Sequence, residues 1–376
     1  MKINVYGTGK NAVKYVLENN DVEINSFIEG KNNKTSFMSE LFLNPIPVLH
    51  VDDAYDNMKR YYTVIAASPT AYYEIKEKLE SMGLNEFDDF CYYEIFRKKI
   101  AVIYGNCHTI PIKEIMSSSE VFSSEYGFYP LHPIYRMKKE DLNLKVFQKC
   151  DLFLHQCIRE ENEYGKEYAS SLIIKKLKIS CKVVNLPNVY NMPRFLYPQC
   201  ISKERGYVWE SYNYFLYRDY YLDKYYNAMS VDDLKNIILD ENLIPHHEII
   251  NNMDVFFEKL KLREKEWDIK VSDFIYNNLK DTQLFYDIGH PSNKLLSYIA
   301  NEALQILKFG SVDVFQNVYT LDDNEIPIYA CVKKALNLTY NTPYMRKCSN
   351  GSINNQQMDL RQYIVQYLKW NHTEKR

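Results

Sequence analysis

Lys99-Ile100-Ala101-Val102-Ile103-Tyr104-Gly105-Asn106-Cys107-His108 is the stretch on which the reading of this chain turns. Residues 100–104 form an unbroken apolar run, as expected of a strand covered on both faces within a parallel sheet. A strand that ends at glycine and passes into a helical pattern through Met116 is a βα unit. Open parallel sheets place ligands beyond the carboxyl ends of such strands. Here those first residues are Asn106, Cys107 and His108. A thiol at a helix N-terminus meets the positive end of the macrodipole, which favours the thiolate. Gly105 permits a sharp turn, Asn106 carries amide donors, and N–H groups at a helix start suit a developing oxyanion. The same residues also suit a packed cysteine in an ordinary strand–helix turn.

Working outward, 151–155 and 181–186 read as further strands, with a helix over 164–178 between them. Far along the chain, Asp287-Ile288-Gly289-His290-Pro291-Ser292-Asn293 reads as a turn leading into an apolar helix. Asp287 and His290 are spaced so that one short turn presents a carboxylate and an imidazole together. The carboxylate can orient the ring so that its other nitrogen acts as a general base. A thiol at one strand end with such a turn elsewhere is the constellation of nucleophile, base and orienter.

Toward the N-terminus, strands are expected at 3–6, 23–29 and 62–67. Helices are expected from the first glycine turn to about Glu18 and over 70–82, the second closed by Gly83. Gly7-Thr8-Gly9-Lys10-Asn11-Ala12 has the pattern of a phosphate-cradling turn between strand and helix. Glu29 ends the second strand where a ribose-binding acid sits. Gly7, Gly9, Lys10 and Glu29 are thus candidates for holding a nucleotide or nucleotide sugar. A tight turn in a domain that binds nothing is the alternative. Arg97-Lys98-Lys99 makes a short basic linker, so the expected domains are 1–97 and 98–376.

The remainder reads as helical and aromatic over 207–253, then a helix over 254–280, with a closing helix over 360–370. Tyr214, Tyr217, Tyr221 and Tyr225 fall on one helical face, either a core or dimer stripe or a surface on which sugar rings could stack. His246 and His247 are adjacent and point to different sides of a helix, and none of the eight cysteines makes a C-x-x-C pair, so no metal is expected. The chain has 376 residues, 46% of them hydrophobic and 25% charged, which excludes a disordered chain. A net charge of -3 argues against a nucleic-acid partner. No run approaches the ~18 apolar residues of a membrane span, and the first residues lack a signal peptide's apolar stretch, so a cytoplasmic protein is expected.

The Gly105-Asn106-Cys107 opening, the 150–156 strand Cys-Asp-Leu-Phe-Leu-His-Gln, Leu186-Pro187-Asn188 followed by Tyr197-Pro198, and the 284–293 segment together resemble the WcbI-like polysaccharide-biosynthesis family. That resemblance covers roughly 99–309. It implies an SGNH-hydrolase-like three-layer α/β/α domain with helical insertions, preceded here by a small Rossmann-like domain. It further implies coenzyme A binding and, in the reading favoured here, transfer of an acyl group from acetyl-CoA to a sugar acceptor in bacterial capsule or surface-polysaccharide synthesis. Cys107 would stand where the SGNH group has its serine, with His290 and Asp287 as the closing pair. Gly105, Asn106, His108, Gln156, Asn188, Ser292 and Asn293 become the candidate oxyanion and substrate contacts. His108 stands where family members often have glutamine, and the SGNH glycine and asparagine blocks are not recognisable. Arg159 and Arg194 are the candidates for the coenzyme A phosphates. A thioesterase or glycan esterase with the same residues, and a non-catalytic coenzyme A or nucleotide-sugar binding module, are the alternatives. Homodimerisation is left open.

Overall fold

The structure, a computed structural model, describes residues 1–30, 36–37, 46–189, 193–201, 217–313, 321, 325–340, 344–346 and 356–374. The chain divides into two compact units, Met1–Tyr104 with Glu120–Val183, and Gly105–Ser119 with Val184–Arg376.

The first unit opens with β1 (Lys2–Tyr6), α1 (Lys10–Glu18), β2 (Glu23–Glu29), β3 (Ser36–Phe37), β4 (Ile46–His50), α2 (Tyr55–Arg60), β5 (Thr63–Ile65), α3 (Pro69–Ser81) and β6 (Phe90–Tyr92). They build a sheet of order β3-β4-β2-β1-β5-β6, parallel except at the β3–β4 edge. Ile3, Val5 and Tyr6 in β1 and Phe27 and Ile28 in β2 are buried on successive positions, as strands covered on both faces require. Asn4 is buried in the same strand at no polar loss. Its amide donates to the carbonyls of Asn57 and Tyr61, and its oxygen accepts from Ser26. Helix α1 turns Ala12, Tyr15 and Val16 inward, the spacing of one helical face. Helix α3 starts at Ser68, whose hydroxyl accepts from the Ala71 N–H, with Pro69 in the first turn. It ends where Gly83 adopts a φ of 82°.

A second sheet begins at β7 (Lys99–Tyr104), which runs into α4 (Thr109–Ser117) of the second unit. Then come α5 (Glu120–Glu125), β8 (Tyr126–Phe128), α6 (Val146–Lys149), β9 (Leu152–Gln156), α7 (Ser170–Ile174) and β10 (Lys182–Leu186). The order is β10-β9-β7-β8, with β7 parallel to both β8 and β9. Both sheets bear out an α/β class. The helix expected over 164–178 is interrupted. Gly165 takes a φ of 124°, and the Ser170 hydroxyl, bonded to Gln156 and Ile158, turns the chain. A 3-10 turn at Lys166–Tyr168 and the short α7 remain.

In the second unit the chain continues through β11 (Cys200–Ile201), β12 (Arg218–Asp219), α8 (Tyr220–Tyr225), α9 (Val231–Leu239), α10 (His246–Arg263), α11 (Ser272–Asn278), α12 (Asn293–Ile306), α13 (Ala330–Ala335) and α14 (Leu360–Glu374). The helix expected over 254–280 instead begins at His246, after Pro245, and breaks at Glu264. That buried carboxylate folds the following loop around itself, accepting from the N–H groups of Val271 and Ser272 and the Ser272 hydroxyl. The four-tyrosine face does not form as one helix. Tyr214 lies outside the described residues, Tyr217 precedes β12, and only Tyr221 and Tyr225 sit on the short α8. Helix α12 packs on α4, and its buried side chains include Leu295, Leu296, Ile299 and Leu304. Burying each such side chain contributes roughly 1.5–3 kcal/mol, so α4 and the turn before it stand on a firm support.

Candidate active site

The turn after β7 is built by Asn106. Its side-chain oxygen accepts from the His108 N–H at 3.0 Å, and its carbonyl accepts from the Thr109 N–H and hydroxyl at 3.1 and 2.8 Å. Such an Asx-type turn fixes the chain where strand becomes helix. The Asn106 amide reaches the Asn188 side-chain oxygen at 3.3 Å. Three N–H groups at the helix start, those of His108, Thr109 and Ile110, are therefore already engaged within the turn. Cys107, half-buried and in no disulfide, projects from this turn.

The 284–292 loop is a tight hairpin. Tyr286 N–H bonds the His290 carbonyl and Ser292 N–H the Leu284 carbonyl, both at 2.8 Å, and the Tyr197 hydroxyl donates to the Phe285 carbonyl at 2.8 Å. At its tip Asp287 is fully buried. One carboxylate oxygen accepts from the N–H groups of Gly289 and His290 at 2.6 and 2.7 Å, and the other meets His290 Nδ1 at 2.8 Å. This leaves Nε2 for the ring's second partner, the Cys107 thiol. Burial alone would lower the proton affinity of His290. The Asp287 carboxylate, first by its charge and then by its hydrogen bond, and Cys107 outweigh burial and hold it well above the usual imidazole range. Thiol, imidazole and carboxylate thus stand in series within one unit.

His108 also reaches this loop. It is 1% exposed, and its Nε2 lies 2.8 Å from the Gly289 carbonyl, to which it donates. Burial drives it down to about 4, against the smaller opposing effect of that carbonyl, so the ring is neutral at physiological pH. Ser292 precedes α12 as its N-cap and is buried, with no hydrogen-bond partner for its hydroxyl among the described residues. Asn293 follows as the first residue of α12. Arg194 is exposed, its guanidinium 3.4 Å from the Cys200 carbonyl. Gln156 and Arg159 belong to the first unit. Gln156 ends β9, buried, with its carbonyl accepting from Ser170, and Arg159 is exposed.

The family model described as polysaccharide biosynthesis enzyme WcbI matches residues 100–311, more than half of the chain. The chain belongs to the WcbI family of polysaccharide biosynthesis enzymes. A solved structure of WcbI is similar in fold, with a TM-score of 0.60 and 18% identity, covering 73% of this chain and 90% of that one. It is described as a novel polysaccharide biosynthesis enzyme, in a native form without a disulfide between coenzyme A and one of its cysteines. No curated protein matches the chain significantly. The WcbI match spans Cys107, His290 and Asp287, and excludes the first sheet.

In that first sheet, β1 lies between β2 and β5, so the glycine turn opens at a point where the strand order reverses. Gly7 has a φ of 115°, and a Cβ there would come within 2.9 Å of the Ala66 carbonyl oxygen. Gly9 caps α1 with open space around it, Lys10 is exposed, and the Thr8 hydroxyl donates to the Glu29 carboxylate. Among the described residues no three His, Cys, Asp or Glu side chains converge as a metal site needs, and no helix is long and apolar enough to cross a membrane.

The buried neutral His108 has a thermodynamic signature. The unfolded chain takes up a proton near the ordinary 6.5, while the native state refuses it until about 4. Below 6.5 the unfolded state therefore binds more protons, and stability falls with pH through that window, by up to roughly 3 kcal/mol. Denaturant unfolding at about pH 7 and about pH 4.5, compared between wild type and His108→Gln, reads this out. The wild type is expected to lose more stability than the variant. Equal losses would show that another group carries the acid sensitivity.

Proposed function

We propose that the chain transfers an acyl group, acetyl in the simplest case, from acyl-coenzyme A to a sugar hydroxyl during synthesis of capsule or another surface polysaccharide. The observation that carries this reading is the hydrogen-bonded series Cys107–His290–Asp287 at the end of β7. His290, oriented by Asp287, takes the Cys107 proton. The thiolate attacks the thioester carbonyl, an acyl–Cys107 bond forms, and the imidazolium gives its proton to the departing coenzyme A sulfur. The acceptor hydroxyl then passes its proton to His290 and takes the acyl group, and Cys107 regains a proton. In the direct version the hydroxyl attacks bound acyl-coenzyme A, and Cys107 only shapes the site.

The reading is supported by the WcbI structure, described as a form without a disulfide bond between coenzyme A and a cysteine of that protein. Arg194, exposed in the same unit, is the residue we assign to the phosphates. Ser292, with its buried hydroxyl, and Asn188, beside Asn106, are assigned to the reacting oxygens. For the first sheet we propose a nucleotide-sugar ligand, supported by Gly7, Gly9, Lys10 and Glu29 around the end of β1. We further propose a division of labour at 97/98, between the two sheets.

The test is release of coenzyme A from acetyl-CoA with and without sugar acceptors. Acceptor-dependent release, lost in His290→Ala, is the expected result. Acceptor-independent release would mean a thioesterase, and binding without turnover a non-catalytic module. Near-normal transfer by Cys107→Ser would eliminate the covalent version.

A further inference from the structure

Outside the site, two other thiols face each other in the first unit. Cys150 immediately follows α6 and lies two residues before β9, while Cys181 immediately precedes β10. Their sulfurs are 3.7 Å apart although the residues are 31 apart in sequence. Strands β9 and β10 are neighbours in the sheet, so the two chain segments are held together by backbone pairing rather than by chance approach. A disulfide is about 2.05 Å long. Closure thus needs a shift of under 2 Å, within reach of side-chain rotation and a small backbone adjustment.

The two thiols are unlike. Cys150 is fully buried, and its Sγ–H donates to the Leu152 carbonyl at 3.0 Å. Cys181 is half-buried, near the Lys178 ammonium that pairs with Asp151 at 2.6 Å. Cys150, by hydrogen bonding, and Lys178, by charge, both favour the Cys181 thiolate, whereas Cys150 is held protonated by Cys181 and by burial. One half-buried thiol whose thiolate is favoured, backed by one buried thiol, is the arrangement of an attacking and a resolving cysteine.

We propose that Cys150 and Cys181 form a reversible disulfide by exchange with a low-molecular-weight disulfide such as oxidised glutathione. The Cys181 thiolate attacks one sulfur of the small disulfide, giving a mixed disulfide and one small thiolate. Cys150 then gives up its proton and attacks Cys181, forming the internal bond and releasing the second small thiol. Two protein thiols are oxidised and one small disulfide is reduced to two thiols. The bond links the starts of two adjacent strands, and it is independent of the Cys107 chemistry.

The test incubates the folded, reduced full chain with oxidised glutathione, quenches by alkylation, and maps disulfide-linked peptides. A Cys157→Ser background is used because cleavage after Lys149 and Arg159 leaves Cys157 on the same peptide as Cys150. A Cys150–Cys181 link that reducing agent removes is the expected result. Cys150→Ser should halt Cys181 at its glutathione adduct, and Cys181→Ser should leave Cys150 reduced. Glutathione adducts without the link in the folded parent chain, or a link formed only after denaturation, would overturn the proposal.

Discussion

Asp287→Asn is expected to lower acyl transfer by about a thousand- to ten-thousandfold while coenzyme A binding stays near wild type. An asparagine oxygen can still accept the N–H groups of Gly289 and His290. Its NH2 then faces His290 Nδ1, which must give up its proton there, and the ring turns its N–H rather than its lone pair toward Cys107. Loss of the carboxylate also removes the main support of the imidazolium, so the ring's titration moves down. The sign on stability follows. A histidine raised in the native state gives stability that is complete below the ordinary 6.5 and fades as pH rises through the raised value, so the variant is weakened most on the acid side. The pH dependence of transfer is the check. A change in KM alone, with an unmoved profile, would mean that Asp287 only shapes the loop.

Gly127→Ala is expected to be the most damaging single methyl group in the first unit. Gly127 sits in β8 opposite Ile100, and a Cβ there would lie 1.7 Å from the Glu94 carbonyl oxygen and 2.9 Å from the Ile95 Cα. Both are backbone atoms that no side-chain rotation moves aside. Either β8 separates from β7 or the Glu94 turn shifts, at a cost on the order of 3 kcal/mol or more. Gly9→Ala is the control, since nothing lies within 4 Å of its Cβ position, and it should cost within about 1 kcal/mol. Urea midpoints of the two variants decide. Equal midpoints would mean that the β8 edge yields easily.

What could be read from the chain alone follows from how local each signal is. The β7 run, its glycine stop and α4 are contiguous, and the Asp287–His290 pair needs only one short turn, so both emerged from spacing. The tie between His108 and the Gly289 carbonyl spans 181 residues, and that between Tyr197 and Phe285 spans 88. Neither leaves a local pattern, so the burial of His108 against the 284–292 loop was not legible in the sequence. Helix limits failed where one polar group redirected the backbone, as Glu264 does through its bonds to Val271 and Ser272. β8 was missed because three residues carry no period, and with it the tight fit at Gly127. Gln156 and Arg159 followed from the family resemblance, not from geometry, and remain proposals.

Intact-protein mass spectrometry after incubation with acetyl-CoA, in native and denaturing conditions, bears most directly on acyl transfer through Cys107. The expected result is a non-covalent coenzyme A complex in the native spectrum. A single acetyl group should survive denaturation in the wild type and be missing from Cys107→Ala. A protein that carries neither coenzyme A nor acetyl in either condition would contradict the account.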